Sequence, residues 1–317
     1  MFKKLKTIGL SLILAVGVFG CSKSDTSVEN DNLKICLILD EGGVNDQSFN
    51  ESAWSGALAS KEKYGVEVSY IESKSESEYF QNIETAIDQD NDLIVGVGFK
   101  LTDTIEEASK SYPNQKFAII DGSYENTPSN VHSILFDEAG AGYSVGLIAS
   151  QMTESNVVGF CGGMEIPSVT GFLDGFKQAI EEEGKDIKVL TQYANSFTDS
   201  AKGKAIAQQM ISQGADIIFS AGGGVNSGVW EACSEAGIYS IGVDMPSSQF
   251  NPNIITSALK NIGTGLEITI KDLVEGNFKG GEATIYDLSS GGVGYEVTEH
   301  LSDELIEYVD NKLESKK

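Results

Sequence analysis

Short apolar runs and amphipathic stretches alternate along the chain from Leu33 onward. Runs that are apolar throughout are typical of strands buried on both faces of a parallel sheet, and the stretches between them have the periodicity of covering helices. The predicted strands are Lys34–Asp40, Val66–Glu72, Asp92–Gly98, Lys116–Asp121, Val131–Asp137, Val157–Gly162, Ile187–Thr191, Asp216–Ala221 and Tyr239–Asp244. The predicted helices fall near Phe49–Tyr64, Glu78–Asp88, Thr102–Ser111, Gly140–Met152, Val169–Glu183, Asp199–Gln213 and Asn226–Ala236. Because this alternation requires right-handed crossovers onto a parallel sheet, the pattern predicts an α/β fold with two doubly wound lobes.

The tail of the chain is less regular. Ile254–Ala258 and Ala283–Leu288 are strand-like, whereas Ile262–Glu275 and Ser302–Leu313 have helical periodicity, the last opened by a cap at Ser302. These elements are too few for a third domain, so we expect the chain to return to the first lobe and then to the second. The predicted domains are an N-terminal lobe of residues 34–130 and 256–281 and a C-terminal lobe of residues 131–255 and 282–317, with a hinge and a ligand cleft between them.

The first residues of the chain have the pattern of an export signal. Three lysines precede Ile8–Phe19, an uncharged and mostly apolar run that is too short to cross a bilayer. The run ends in Val18-Phe19-Gly20-Cys21, which resembles a lipobox, where the cysteine is lipidated and begins the mature protein. A buried helix with an incidental cysteine is the alternative. We predict a signal peptide over 1–20, a flexible tether over 21–33, and lipid anchoring at Cys21 to the cell membrane, facing the extracellular side or the periplasm.

Charge and cysteine content narrow the possible partners. The formal net charge of −25 disfavours nucleic acid and anionic lipid as direct partners. All 22 basic residues are lysine, so an arginine clamp for phosphate is unavailable and an uncharged ligand is favoured. Cys36, Cys161 and Cys233 lie in apolar or helical patterns, which indicates buried thiols rather than a disulfide framework.

The sequence contains one catalytic motif whose residues match but whose predicted structural context does not. Residues Gly142 to Gly146 fit the G-x-S-x-G pattern of hydrolases, but Ser144 lies within a predicted helix instead of on a strand-to-helix turn. The two histidines, His132 and His300, do not follow strand ends, so no base is indicated. Small residues along this helix are better explained by a close approach to the sheet. The sequence therefore predicts a protein that is not an enzyme.

Two further motifs, for a nucleotide cofactor and a metal, fail in the same way. The glycines from Gly140 to Gly146 resemble a dinucleotide loop, but the next strand ends in Gly162-Gly163 with no acidic residue for a ribose. Asp88, Asp90 and Asp92 resemble the start of a calcium loop, but Leu93 replaces the glycine that the turn requires. No cofactor and no metal are expected.

Polar residues and glycines cluster where the predicted strands end. They are Asp40, Gly98, Asp121, Gly222–Gly224 and Asp244. Open α/β sheets bind ligands outside the carboxyl ends of their strands, so these residues predict one cleft between facing lobes. Ser48 and Glu51 have the spacing of a capping box, which starts a helix at Phe49 and directs its ring toward the cleft, unless that ring is only a hydrophobic staple. The three glycines fit a tight turn as well as a ligand contact.

These residues resemble the basic membrane protein family of lipoproteins. The resemblance rests on the run from Asp40 through Asp46, Ser48, Phe49 and Asn50, on Gly98-Phe99, on Ala118-Ile119-Ile120-Asp121, on Gly222–Gly224 and on Gly242-Val243-Asp244, and it extends over essentially the whole chain. It implies a type I periplasmic-binding-protein fold. It also implies the function of a substrate-binding protein that delivers a purine nucleoside to the permease and ATPase of an ABC importer.

The resemblance also implies a ligand site. Its members in this chain would be Asp40, Phe49, Asn50, Gly98, Asp121, Phe197, Gly223, Asp244 and Lys260. Phe49 and Phe197 would stack on the two faces of the base, and Asp40 and Asn50 would hydrogen-bond to its edge. The remaining polar groups would hold the ribose hydroxyls.

Other functions stay open at this point. Carboxylates accept hydrogen bonds from sugar hydroxyls as well as from ribose, so a receptor for a sugar or small vitamin is the main alternative. Sugar sites favour tryptophan platforms, but Trp54 and Trp230 fall within helical patterns. A surface adhesin or sensory lipoprotein with an unused cleft is the other alternative. In each case we expect a monomer.

Overall fold

Residues 32–316 of the chain are described by the structure, which is a computed structural model. The predicted signal peptide, the lipidation at Cys21 and most of the tether lie outside the described residues. The strands are β1 (Lys34–Leu39), β2 (Glu67–Glu72), β3 (Leu93–Val97), β4 (Lys116–Ile120), β5 (Val131–Phe136), β6 (Val157–Gly162), β7 (Lys188–Tyr193), β8 (Ile217–Ala221), β9 (Tyr239–Asp244), β10 (Ile254–Lys260), β11 (Glu282–Tyr286) and β12 (Val293–Tyr295). The α-helices are α1 (Phe49–Tyr64), α2 (Tyr79–Asp88), α3 (Thr102–Ser111), α4 (Glu138–Met152), α5 (Pro167–Glu182), α6 (Ser200–Ser212), α7 (Val225–Ala236), α8 (Ile262–Val274) and α9 (Asp303–Glu314). Among these helices, none is both long and apolar enough to span a bilayer.

These strands form two six-stranded sheets with matching orders. The first sheet has the order β11-β5-β4-β3-β1-β2, and the second has the order β12-β10-β9-β8-β6-β7. The strands pair in parallel except for β12, which runs antiparallel to β10. We call the first sheet with α1, α2, α3 and α8 the first lobe, and the second sheet with the other helices the second lobe. The predicted α/β fold with two doubly wound lobes is confirmed.

The position of each strand within its sheet explains its apolar pattern. Central strands such as β1 and β3 are covered by helices on both faces, and every residue from Ile35 to Leu39 is fully buried. The edge strand β2 has only exposed and partly buried residues, because a strand at the edge of the sheet is covered less than a central one. Burying continuous apolar strands between layers of helices supplies the main stabilisation of each lobe.

The chain passes between the lobes at positions that differ from the predicted domain boundaries. The strand β5 pairs with β4 in the first sheet, and β11 pairs with β5, whereas the prediction placed both in the C-terminal lobe. Conversely, β10 pairs with β9 in the second sheet, although residues from 256 onward were assigned to the first lobe. The connections therefore lie after Phe136, after Lys260 and after Tyr286. An apolar run reveals that a strand is buried but not which of two equivalent sheets it joins.

The G-x-S-x-G segment lies within α4 and serves helix packing. The side chain of Ser144 is buried and donates to the carbonyl of Gly140 at 2.9 Å, as a helical serine does. A β-carbon at Gly142 would lie 2.1 Å from the Phe172 carbonyl oxygen, and one at Gly146 would lie 2.6 Å from that of Phe176. The glycines therefore allow close approach to α5, rather than to the sheet as predicted.

Candidate functional site

A cavity lies between the carboxyl ends of the two sheets. Its empty volume is about 600 Å³, part of it open to solvent, which is the size range of small-molecule sites. All nine residues of the predicted ligand site line it. Gly222 also lines it, at the strand end where the sequence predicted the cleft. The prediction missed the other lining residues, which are Gly42, Asp46, Phe99, Ile166, Ser168, Val169, Phe172, Ala221 and Val243.

Two aspartates occupy equivalent positions in the two lobes. Asp121 follows β4 and Asp244 ends β9, and these strands hold the same place in the order of their sheets. Both aspartates have left-handed backbone conformations, with φ of 62° for Asp121 and 67° for Asp244. Such a conformation is uncommon outside glycine, and aspartate and asparagine adopt it more readily than other residues. The repeated geometry directs one carboxylate from each lobe into the cavity.

The loop before α1 is organised by Asp46. Its carboxylate accepts hydrogen bonds from the backbone N–H groups of Ser48 at 3.0 Å, Asn50 at 2.9 Å and Glu51 at 3.1 Å. The predicted capping box of Ser48 and Glu51 is therefore wrong, although the helix begins at Phe49 as predicted. The aspartate acts through an Asx-type turn, in which a carboxylate meets the N–H two residues later. Its position two residues before Ser48 was the available sequence signal.

Ser48 is free of the capping role and bridges the lobes instead. Its hydroxyl donates to the Asp244 carboxylate at 2.5 Å, and both side chains are buried. Burial raises the pKa of Asp244, although the nearby Lys260 and the Ser48 hydroxyl act in the opposite direction. The cleft is therefore closed around the cavity by a direct polar contact.

Asp40 and Asn50 present hydrogen-bond acceptors to the cavity. The Asp40 carboxylate accepts from the Asn50 amide at 2.8 Å and from the Gly42 N–H at 3.0 Å. This pairing uses the Asn50 amide nitrogen as a donor, and the Asn50 carbonyl oxygen is buried without a partner among the described residues. Burial raises the pKa of Asp40 and is partly offset by its two donors. A ligand edge that donates hydrogen bonds would satisfy these acceptors.

Aromatic rings from both lobes line the same cavity. The Phe49 ring lies against Gly98, whose φ of 104° requires glycine and leaves room for the ring. Phe197 of the second lobe meets Phe99 of the first edge to face, with ring centroids 6.5 Å apart. Phe99 follows Gly98 directly in the Gly-Phe motif, so its role was within reach of the sequence. Phe172 carried no such signal, because it lies in an ordinary helical pattern.

Lys260 is a buried cation surrounded by carboxylates and rings. Its ammonium lies 2.5 Å from Asp121 and 2.8 Å from Glu138, and only 2% of its side chain is exposed. It also lies 5.3 Å from the ring centroids of Phe49 and Phe136. Burial alone would lower the pKa of Lys260, but the neighbouring carboxylates raise it above its ordinary value, so the ammonium is charged.

These features agree with the relationships of the chain to known proteins. A model of the Bmp family, described as ABC transporter substrate-binding protein PnrA-like, matches residues 34–317. The chain belongs to this family. The Bmp family is one of substrate-binding proteins of ABC transporters, so the prediction that the chain is not an enzyme is confirmed.

Individual relatives are similar to this chain over most of its length. An ABC transporter nucleoside-binding protein, BmpA of Lactococcus lactis subsp. cremoris, is 34% identical over 92% of this chain and 91% of its own length. A protein of Pyrococcus abyssi named as a lipoprotein is 33% identical over 90% of this chain and 75% of its own. The crystal structure of a solute-binding protein from Aeropyrum pernix K1, of an ABC transporter system, is 30% identical and superposes with a TM-score of 0.78, covering 89% of this chain and 86% of that one. This Bmp protein therefore has the type I periplasmic-binding-protein fold.

Proposed function

We propose that this protein captures a purine nucleoside in the cleft and delivers it to the permease and ATPase of an ABC importer. The single observation that supports a nucleoside is that unpaired acceptors and aromatic rings line the same cavity. The buried carbonyl oxygen of Asn50 and one carboxylate oxygen of Asp121 have no partner among the described residues, and both residues line the cavity. A ligand with donors at both ends and a flat apolar ring satisfies this pattern.

The aromatic and polar parts of the cavity match the two halves of a nucleoside. Phe49 and Phe197 offer ring faces or edges to a base, and base stacking contributes about 1–3 kcal/mol per contact. Asp40 and Asn50 provide acceptors for the N–H groups of a base edge. Asp121 and Asp244, with Lys260, provide partners for ribose hydroxyls.

The charge of the cavity favours a nucleoside over a nucleotide. Four aspartates line it, and the cation in its wall, Lys260, already pairs with Asp121 and Glu138. A phosphate would bring a further negative charge next to these carboxylates, and the chain has no arginine to hold it. Phosphorylated ligands should therefore be excluded.

We also propose that the protein is held at the outer face of the cell membrane by lipid on Cys21. The lysine-rich start, the short apolar run and the lipobox-like ending support this anchor. A relative named as a lipoprotein supports it independently. Anchoring would keep the protein close to its permease.

Binding measurements on the purified protein test the nucleoside. Native mass spectrometry of protein prepared without added ligand should detect a retained nucleoside. Guanosine, inosine or adenosine should raise the melting temperature, since about 2.7 kcal/mol is expected at a hundredfold excess over Kd. The matching monophosphates should do so weakly or not at all, and equal shifts by both would contradict the proposal.

A sugar or small vitamin is the second candidate ligand. The observation that favours it is the number of cavity carboxylates, which serve sugar hydroxyls equally well. Calorimetric titration with ribose and other free sugars separates the two ligands. Sugar binding without nucleoside binding would replace the proposed ligand, and loss of nucleoside uptake on gene deletion would argue against an adhesin.

A further inference from the structure

Glu138 lies outside the cavity lining but holds the central cation of the cleft. It is the first residue of α4, directly after the first connection between the lobes. Its carboxylate lies 2.8 Å from the Lys260 ammonium, and Lys260 ends β10 just before the second connection. The pair therefore sits at two of the three connections between the lobes, with Glu138 at the end of the first and Lys260 at the start of the second.

The two carboxylates on Lys260 belong to different lobes. Asp121 follows β4 of the first lobe, whereas Glu138 is on α4, which packs against β10 of the second lobe. Glu138 also packs closely against α5, because a β-carbon added at Gly171 would lie 3.0 Å from the β-carbon of Glu138. If the lobes separate as rigid bodies, we expect Lys260 to lose its contact with Asp121 and to keep its contact with Glu138.

A buried ammonium needs a permanent counter-charge. Only 2% of the Lys260 side chain and 14% of the Glu138 side chain are exposed in the closed form. Breaking a buried ion pair by removing one partner is strongly destabilising, because the remaining charge is left uncompensated. In the second lobe Glu138 is the carboxylate that pairs directly with Lys260, and Asp244 adds a negative charge that lies beyond ion-pair distance. In the closed form, Asp121 adds a second carboxylate, which repels Glu138 as well as attracting Lys260.

We propose that Glu138 is a positioning residue that keeps Lys260 charged and directed into the cleft while the lobes are open. Asp121 then engages an ammonium that is already in place when the lobes close. The role of closure around a ligand rests on the proposed function, but the equilibrium between open and closed forms does not depend on which ligand is bound. Glu138 thus sets the balance between the two forms without contacting the ligand.

The proposal predicts opposite effects for the two carboxylates. Glu138→Gln removes the counter-charge of the open form and the repulsion of the closed form, so the ligand-free protein should shift toward closed. Asp121→Asn removes the contact made only on closure, so the ligand-free protein should shift toward open. We expect each change to alter the ratio of the two forms roughly fivefold or more, the lower end of typical conformational coupling.

Small-angle scattering of the ligand-free variants measures this ratio through the radius of gyration. Glu231→Gln is the matched control, because Glu231 also pairs with a lysine at 2.8 Å but lies on the surface of the second lobe. It should leave the radius of gyration unchanged. Glu138→Asp keeps the carboxylate and should remain close to the parent. Thermal unfolding checks that each variant is folded.

The outcome is decisive for Glu138 whether or not a nucleoside binds. Shifts of Glu138→Gln and Asp121→Asn in the same direction, or no shift of Glu138→Gln, would overturn the proposal. An equal shift of Glu138→Asp and Glu138→Gln would also overturn it, since side-chain shape and not charge would then be responsible. If Glu138→Gln does not fold, the proposal is tested by Asp121→Asn. An unchanged radius of gyration of Asp121→Asn would overturn it, because Lys260 would then not gain a stabilising contact with Asp121 on closure. Failure of nucleosides to bind the parent protein would refute only the proposed ligand.

Discussion

The hydroxyl of Ser48 donates a hydrogen bond of 2.5 Å to the carboxylate of Asp244, across 196 positions of sequence and between two different lobes. Ser48 precedes the first residue of α1, and Asp244 is the last residue of β9. The contact joins the helix that carries Phe49 and Asn50 to the opposite wall of the cleft. This hydrogen bond therefore joins the two lobes across the cleft. A hydrogen bond to a charged group contributes about 1.5–3 kcal/mol to stability.

Ser48→Ala should weaken ligand binding without destabilising α1. Asp244 loses its donor from the first lobe, so the closed form becomes less favourable and affinity should fall roughly tenfold or more. The start of the helix should be unaffected, because Asp46 accepts its N–H groups. Titration calorimetry and thermal unfolding measure the two effects, with the exposed Ser55→Ala as control. Reduced stability with unchanged affinity would show that Ser48 caps the helix after all.

Phe49→Ala and Asp244→Ala should be distinguishable by ligand. Loss of the ring should cost about 1–3 kcal/mol in binding of both nucleoside and free base, or roughly ten- to a hundredfold in affinity. Loss of the carboxylate should cost about 1–3 kcal/mol for the nucleoside but little for the free base, because the ribose hydroxyls lose an acceptor. Calorimetry with a nucleoside, its base and ribose makes the comparison. If Phe49→Ala binds nucleoside like the parent, Phe49 is only a staple.

Sequence periodicity predicted the described α-helices and strands except β12, which has only three residues, and the polar residues at strand ends predicted the location of the cleft. The helix α1 spans Phe49–Tyr64 as predicted, because its start and its glycine stop at Gly65 are both local signals. The nine predicted residues meet at one cavity because parallel strands end at one edge of a sheet. Whether they bind the ligand remains a prediction.

Contacts between lobes could not be predicted from local pattern. The strands β5 and β10 have equally apolar sequences. Only the strand pairing shows that β5 belongs to the first sheet and β10 to the second, the reverse of the prediction. Phe172 lies in an ordinary helical pattern and Glu138 lies two residues before the predicted start of its helix, and the proximity of both to Lys260 depends on how the second lobe packs. Side chains whose role depends on long-range packing cannot be identified from hydrophobic periodicity.

Gly142→Ala should destabilise the protein although alanine is the better helix former. The new β-carbon would lie 2.1 Å from the Phe172 carbonyl oxygen, so α4 and α5 must separate. Overpacking of this kind costs about 1–3 kcal/mol, which exceeds the gain of about 1 kcal/mol in helix propensity. Gly294→Ala is the control, because a β-carbon there has no atom within 4 Å. Chemical denaturation measures both, and a stabilised Gly142→Ala would contradict the close helix packing.

Cys21→Ser should release the protein from the membrane. If the thiol of Cys21 carries the lipid, its replacement leaves no site for the anchor, and the protein should move from the membrane fraction to the soluble fraction. The folded part should be unaffected, since its core begins with β1. Fractionation of cells followed by thermal unfolding of the released protein checks both points. Continued membrane attachment of the variant would refute the lipoprotein hypothesis.

His132 should make the protein sensitive to mild acid. Its ring nitrogens face the Thr284 hydroxyl at 3.0 Å and the Thr269 hydroxyl at 3.2 Å, and burial, together with the charge of Lys279, lowers its pKa to about 4. The unfolded chain binds a proton at this histidine below its ordinary pKa of about 6.5, whereas the folded chain does not until about 4. Stability therefore falls as the pH drops through this window, by about 2 kcal/mol at pH 5.

The contribution of His132 is isolated by comparison with His132→Gln, which keeps a polar group in the same place but cannot titrate. Carboxylates of the cleft such as Asp46, whose pKa is raised to about 7 by desolvation, also titrate in this window, but they do so in both proteins and cancel in the difference. These carboxylates change stability with pH in the opposite direction to His132. Because their pKa is raised by folding, the folded chain binds the extra proton and gains stability as the pH falls. Urea denaturation of both proteins at pH 7 and pH 5 should show that the parent loses about 2 kcal/mol relative to the variant. Parallel stability profiles would mean that folding does not lower the pKa of His132, so that the folded protein is protonated there at pH 5. Its contacts with Thr284 and Thr269 would then be those of an imidazolium that donates from both nitrogens.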